Sequence, residues 1–195
     1  MGAEPNPLTD VELAVHCALV GSNLERADLR GKNLRGVNFS NANLRGADLS
    51  RADLREACFV RADLSRACLY GADCRGADFS GAEMSLIHGR AADFSRARFW
   101  STSLRRAIIK NALFFEADLR TCNVAFTDFL GCRFNGALLD GVRNADKATF
   151  FWYYPDNWIG HVRYDPAPGY VKIDTSVLGG LSLQENTHRK EMELA

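Results

Sequence analysis

An all-β solenoid with a square cross-section is the fold class this sequence predicts, on three observations. From Leu24 to Leu139 every fifth residue is a centre, and of the 24 centres eleven are Leu and eight are Phe. Cys74, Met84, Gly89, Ile109 and Val124 are the departures. Two residues before nearly every centre stands a smaller residue, Ala in sixteen of the 24 cases, as in Ala27-Asp28-Leu29-Arg30-Gly31 and Ala77-Asp78-Phe79-Ser80-Gly81. The register holds from Ser22 to Gly141 without an insertion. Self-similarity at a fixed period is the mark of a repeat architecture.

A five-residue period excludes the alternatives. A continuous helix, at 3.6 residues per turn, would smear Leu and Ala over every face. A plain strand would send successive centres to opposite sides. A short extended segment followed by a turn keeps the centre and the small residue two before it pointing inward, with the other three outward. Four such segments close a square coil, so each twenty residues stack on the next twenty. Twenty-four quintets make six coils, a rod of about 29 Å at roughly 4.8 Å per stacked strand.

These quintets resemble the pentapeptide-repeat family, whose motif reads Ala-(Asp/Asn)-Leu-X-X, over about 120 of the 195 residues. The resemblance implies a right-handed quadrilateral β-helix. It also brings a functional alternative, because the quinolone-resistance members of that family imitate DNA with a strongly acidic rod and bind type II topoisomerases.

The elements follow in order. Residues 1–21 read as an N-terminal capping helix over 9–20. Thr9-Asp10-Val11-Glu12 has capping-box spacing, Gly21 offers a stop, and Val11, Val15, Ala18 and Leu19 share a face. Such a helix would close the first coil, whose open strand edges otherwise invite association. Residues 22–141 are the β-helix. On its outside, Asp53, Asp73 and Asp93 stack twenty apart beside a parallel column of Arg35, Arg55 and Arg75, and the opposite charges are expected to screen one another. At Ile87-His88-Gly89 the bulky and small inward residues trade places, which keeps the total volume.

From the fifth coil onward outward slots turn apolar, at Ile108, Leu113, Phe115, Phe126, Leu130 and Leu138, preceded by Trp100. Exposed apolar patches mark contacts. Ile108, Leu113, Phe115 and Leu130 are therefore candidate interaction residues, to be covered by the tail of this chain or by another copy. Residues 142–195 read as an aromatic C-terminal cap and a polar tail. Phe150 to Trp158 holds six aromatics, and Trp152, Tyr154 and Trp158 join the candidate interaction surface. Residues 142–175 are expected to fold back over the last coils, with any uncovered remainder forming a two-fold homodimer contact.

Charge and motif content exclude other classes. The chain has 24 Lys+Arg and 24 Asp+Glu, and from Ser22 to Gly141 there are eighteen basic and fourteen acidic residues, a net of +4. This lacks the acidic excess of a DNA mimic. The basic residues are interleaved with acids, so they form no positive stripe for direct nucleic-acid binding. His16, His88, His161 and His188 lie in different regions, and no phosphate loop or nucleophile motif appears, so neither enzyme activity nor a cofactor or metal site is expected. Cys74, Cys122 and Cys132 fall on inward positions, Cys58 and Cys68 on outward ones, with no zinc-ligand spacing. Met1 to Pro7 lacks a signal-peptide pattern, and no run of eighteen apolar residues suggests a membrane span. The reading is a cytoplasmic, non-catalytic protein-interaction scaffold binding a macromolecular partner through solenoid faces or the aromatic C-terminal region. The alternative is a DNA gyrase or topoisomerase modulator conferring resistance to a gyrase poison.

Overall fold

Twenty residues separate the partners of nearly every parallel bridge in this protein. A computed structural model describes residues 19–149, together with the backbone of 161–164 and 170–174. The residue before each centre forms a parallel bridge with its equivalent one coil on, as in Asn23 with Asn43, Asp53 with Asp73 and Asp118 with Leu138. These bridges wind the chain into a β-helical solenoid.

A quintet with Asp or Asn before its centre has a place for each kind of backbone N–H. The centre donates to the next coil (Leu44 N–H to Asp63 C=O, 2.7 Å), and so does the residue two after it (Gly46 to Ser65, 2.9 Å). The residue before the centre donates to the previous coil (Asn43 to Ser22, 2.9 Å). The small residue closes a β-turn onto the preceding centre (Ala47 N–H to Leu44 C=O, 3.0 Å). The fifth N–H, one after the centre, points outward and donates to the side chain of the Asp or Asn two residues before it. Ser50 N–H to Asp48 Oδ1 at 3.0 Å and Ser95 N–H to Asp93 Oδ1 at 2.9 Å are examples. This short-range side-chain acceptor is the physical reason for Asp and Asn at that position.

The third residue of each turn has a positive φ, as a type II turn requires. Gly46, Gly76 and Gly136 occupy it with φ of 63°, 69° and 70°, and Arg66, Leu86, Thr121 and Phe126 with φ of 60–63°. A side chain there costs about 1–2 kcal/mol, and the dense inter-coil bonding outweighs it.

Inside, the centres stack in four columns. Phe39, Phe59, Phe79 and Phe99 form one aromatic ladder with centroid separations of 5.0, 4.9 and 5.2 Å, close to the rise of one coil. A second ladder, Phe94-Phe114-Phe134, runs on the adjacent side at 5.1 and 4.9 Å and meets the first edge-on between Phe94 and Phe99. Where Thr replaces Ala, its hydroxyl is satisfied from within: Thr102 donates to Phe79 C=O at 2.7 Å and Thr127 to Leu104 C=O at 2.6 Å.

Both ends differ from the expected boundaries. Leu19 and Val20, expected as the end of a helix, belong to the first turn of the repeat. Ser22 N–H donates to Leu19 C=O, Gly21 has φ 67°, and Gly21 N–H donates to Ser40 C=O. The rest of the predicted helix, 9–18, lies outside the described residues. At the other end Arg143 still bridges Asn123, but Thr149 bridges Asp128, a separation of 21. The slipped residue is taken up at Asn144, which has φ 59°, and in a 3-10 turn over Ala145–Lys147. Strand β1 (Val142–Arg143) then pairs antiparallel with β3 (Tyr170–Asp174), which pairs antiparallel with β2 (His161–Tyr164), in the order β1-β3-β2. Val142 lies opposite Val171, and Val162 opposite Ile173.

The core also decides thiol chemistry. Cys74 is fully buried and burial holds its thiol far above the usual range; burial likewise raises Cys122, and pushes Cys132 up to about 12. Cys58 and Cys68 are half-buried on the outside. Iodoacetamide added to the native protein should therefore modify Cys58 and Cys68 and spare Cys74, Cys122 and Cys132 until the chain is unfolded. Peptide mapping reads this directly, and early labelling at Cys74 would contradict the packing.

Candidate interaction surface

The square cross-section gives four outer sides, and residues twenty apart share one. Asp53, Asp73 and Asp93 lie on the same side as Arg35, Arg55 and Arg75. Arg55 donates to Asp53 (Nε to Oδ1, 2.8 Å) and lies 3.6 Å from Asp73 of the next coil. Arg75 repeats this with Asp73 at 2.8 Å and Asp93 at 3.9 Å, and Arg35 pairs with Glu56 at 2.8 Å. A groove of about 750 Å³ runs along this side past Arg35, Arg55, Arg75 and Phe115, lined also by the Arg96–Glu116 pair at 2.8 Å. It is a ladder of matched charges rather than a receptor of one sign.

Those pairs hold several carboxyls below the usual carboxylate range. The Arg55 hydrogen bond lowers Asp53 and the Arg75 hydrogen bond lowers Asp73, each against an opposing desolvation. At Asp63 and Asp118 burial raises the pKa, but hydrogen bonds from Ser65 and Arg45 to the first, and from Arg120 and Trp100 to the second, together outweigh it. A carboxyl lowered on folding contributes stability that is complete above its unfolded pKa, about 3.9, and is lost as pH falls through its folded value. The urea midpoint should thus be insensitive to these groups from pH 7 to 5 and fall below pH 4. A midpoint unchanged down to pH 2 would contradict the pairing.

The apolar candidates separate over three sides. Leu113 and Phe115 lie beyond the arginine column, half-buried. Trp100 and Leu138 lie on the following side, where Trp100 Nε1–H donates to Asp118 at 2.9 Å and the Arg120 guanidinium sits 5.1 Å from its ring. Ile108 and Leu130 share a different side, beside the corner that carries Leu86 and Phe126. Trp152, Tyr154 and Trp158 lie outside the described residues.

It is this last side that concentrates exposed apolar area. Tyr70, Leu86, Ile108, Phe126 and Leu130 are 39–56 % exposed, and they make up five of the eight exposed large hydrophobics among the described residues. Cations stand between them. Arg106 lies over the Phe126 ring at 6.0 Å and Lys110 pairs with Asp128 at 3.0 Å. Arg90 has no acidic partner among the described residues. Sequence reasoning missed Tyr70, Leu86 and these cations. The available signal was the replacement of Asp or Asn by Cys68, His88 and Ile108 at positions twenty apart. No group of three or more metal-ligating side chains occurs among the described residues, and none of their helices is long and apolar enough to cross a membrane.

The family profile described as Pentapeptide repeats (8 copies) matches residues 17–55, 57–86 and 90–124. Among curated proteins there is no match. The chain is similar to the crystal structure of a pentapeptide repeat protein from the Arabidopsis thaliana thylakoid lumen, with 27 % identity over 58 % of this chain and 69 % of that one, at a TM-score of 0.42. It is similar to HetL, a pentapeptide repeat protein involved in heterocyst differentiation regulation from the cyanobacterium Nostoc sp. strain PCC 7120. There the identity is 29 % over 67 % of this chain and 60 % of that one, less than two thirds of HetL, at a TM-score of 0.35. A trypsin-treated form of QnrB1, a plasmid-mediated fluoroquinolone resistance protein, shows 22 % identity over 68 % and 78 % of the two chains at a TM-score of 0.36.

Proposed function

The chain belongs to the pentapeptide-repeat family, a family of right-handed β-helices, and from that premise we propose that it is a non-catalytic scaffold that binds a protein partner through one side of a six-coil solenoid. The observation that carries this reading is the gathering of Tyr70, Leu86, Ile108, Phe126 and Leu130 on one side and its corner. Exposed apolar side chains gathered in this way are what a contact surface offers. At Ile108 the repeat has given up the turn-stabilising Asp or Asn for an exposed apolar residue, a local cost that a binding role explains.

The topoisomerase alternative draws no support from the outer surface. An acidic face would be needed, and the longest Asp column, Asp53-Asp73-Asp93, is neutralised by Arg55 and Arg75. Free thiols throughout the solenoid suit a reducing cytoplasm.

Affinity capture from the source cell with the full chain, compared with a variant carrying Ile108→Ser and Leu130→Ser, tests the scaffold reading. Ser103 and Ser95 already occupy the equivalent quintet positions, so the fold should tolerate both changes. The variant should lose proteins that the natural chain retains; identical capture by both would overturn the reading.

For the C-terminal region the proposal is a cap over the last coil, with the N-terminal residues in the same role at the other end. Its support is the pairing of β3 against β1, which occupies a strand edge that the rod would otherwise leave open. Truncation after Gly141 is expected to give concentration-dependent association in sedimentation. A truncated chain that stays monomeric and equally stable would sink the cap and free Trp152, Tyr154 and Trp158 for a partner.

A further inference from the structure

Three consecutive coils on one side lack the hydrogen bond that defines the outer face elsewhere. Where Asp or Asn precedes the centre, its carboxyl or amide oxygen accepts the outward N–H, as Asp48 does for Ser50 and Asp128 for Leu130. Cys68, His88 and Ile108 stand between those two in the same column, each bridged to the next. The outward N–H groups of Tyr70, Arg90 and Lys110 consequently have no partner among the described residues. On the other three sides such gaps do not extend over three consecutive coils, because acceptors such as Asp78, Asp93, Asp118 and Asn123 interrupt them.

Charge follows the same pattern. On the side of Asp53 and Asp73, Arg55 and Arg75 each find a carboxylate two residues back, and Arg35 pairs with Glu56. Here Arg90 has no carboxylate partner among the described residues, and Arg106 rests on an aromatic ring. Lys110 reaches across to Asp128. Leu86, Ile108, Phe126 and Leu130 stand exposed among these cations.

We propose that this side binds an acidic segment of a partner protein that also carries large apolar side chains, and this rests on the scaffold reading above. The partner's carboxylates take the place of the absent Asp side chains. They accept from the N–H groups of Tyr70, Arg90 and Lys110 and pair with the guanidinium groups of Arg90 and Arg106. Its apolar side chains cover Leu86, Ile108, Phe126 and Leu130. A second copy of this chain would bring the same cations face to face, which is repulsive. A nucleic acid would meet the cations but leave the interleaved apolar side chains without a matching surface.

Fluorescence anisotropy with the full chain tests this. The probe is a labelled amphipathic peptide of Glu and Leu, about 14 residues long, or roughly four helical turns. The comparison probes are a Glu homopolymer, the same peptide with Lys for Glu, and a single-stranded DNA oligonucleotide. Two double variants are read beside the natural chain. His88→Asp with Ile108→Asp restores two of the three internal acceptors, the first recreating with Arg90 the arrangement of Asp53–Arg55, and should melt no lower than the natural protein. Arg90→Glu with Arg106→Glu reverses the cations at positions whose equivalents are already Glu25 and Glu116.

The Glu/Leu peptide should bind, and bind less well as salt is raised. Each double variant should weaken it about tenfold or more. No binding by the natural chain would overturn the proposal, as would unchanged affinity in a folded variant. Equal or tighter binding of any comparison probe would also overturn it, and self-association abolished by the same substitutions would make a second copy the occupant instead. In the capture experiment, loss of partners with Ile108→Ser and Leu130→Ser but retention with Arg90→Glu and Arg106→Glu would sink the acidic partner and leave the scaffold standing. Retention in both variants would sink both.

Discussion

Replacing Phe79 by Ala should destabilise the solenoid by about 3–5 kcal/mol, the range for deleting a fully buried aromatic side chain. Phe79 is wholly buried and contacts three rings: Phe59 below at 4.9 Å, Phe99 above at 5.2 Å, and Phe94 edge-on at 6.0 Å. Each such pair adds about 0.5–1.5 kcal/mol beyond area burial. The cavity cannot collapse easily, because the coils on either side are fixed by backbone bonds such as Phe79 N–H to Arg98 C=O at 2.8 Å. In a quasi-one-dimensional protein the loss falls at one interface between neighbours, so thermal unfolding should split into two transitions rather than shift as one. Phe126→Ala is the control: its ring is 56 % exposed, and its loss should stay within about 0.5 kcal/mol. Equal effects at the two sites would contradict the inward assignment of the centres.

The second large effect concerns a substitution that makes the chain more like its own repeat. Gly89 occupies a centre, where Leu is the commonest residue, yet Gly89→Leu should destabilise by about 1–3 kcal/mol through overpacking. A Cβ at Gly89 would already lie 3.4 Å from Ile109 Cγ2 and 3.6 Å from Phe94 Cε2. Ile87, fully buried in the slot that Ala usually takes, supplies the missing bulk. Ile87→Ala alone should cost about 2–5 kcal/mol by leaving a cavity. Together the two substitutions restore the ordinary Ala and Leu arrangement at nearly constant volume, and the double variant should come within about 1.5 kcal/mol of the natural protein. Urea denaturation of the four proteins gives the coupling directly, and additive losses would show that the two residues pack independently.

Much of the inside was legible in the sequence because a period of five is a strong geometric constraint. It assigned Leu44, Leu64 and Met84 to the interior, where all three are fully buried, and it recognised the exchange of bulk between Ile87 and Gly89. The ends were read less well. Leu19 looked like the close of an amphipathic helix because a Leu before a Gly suits either a helix stop or the centre of a quintet. Local sequence cannot choose between them; the bond from Gly21 N–H to Ser40 C=O, nineteen residues away, does. The slip between Arg143 and Thr149 and the 3-10 turn that absorbs it appear only in the structure.

By itself, the sequence determined the coil, its inward columns and the fate of the buried cysteines, because steric size at each fifth position admits one arrangement. What only the tertiary structure decided is which outward groups are satisfied. Ile108 and Leu113 are five residues apart and lie on adjacent sides, whereas Ile108 and Leu130 are 22 apart and share one. An arginine after a centre can bond its own strand, as Arg55 does with Asp53, or cross to another coil, as Arg45 does with Asp63 at 3.1 Å. The choice depends on the side-chain conformation and on the residue stacked one coil away. Such partners are set by the stacking of distant coils and not by neighbours in the chain, so the unpartnered donors of Tyr70, Arg90 and Lys110 emerge only once the coils are in place.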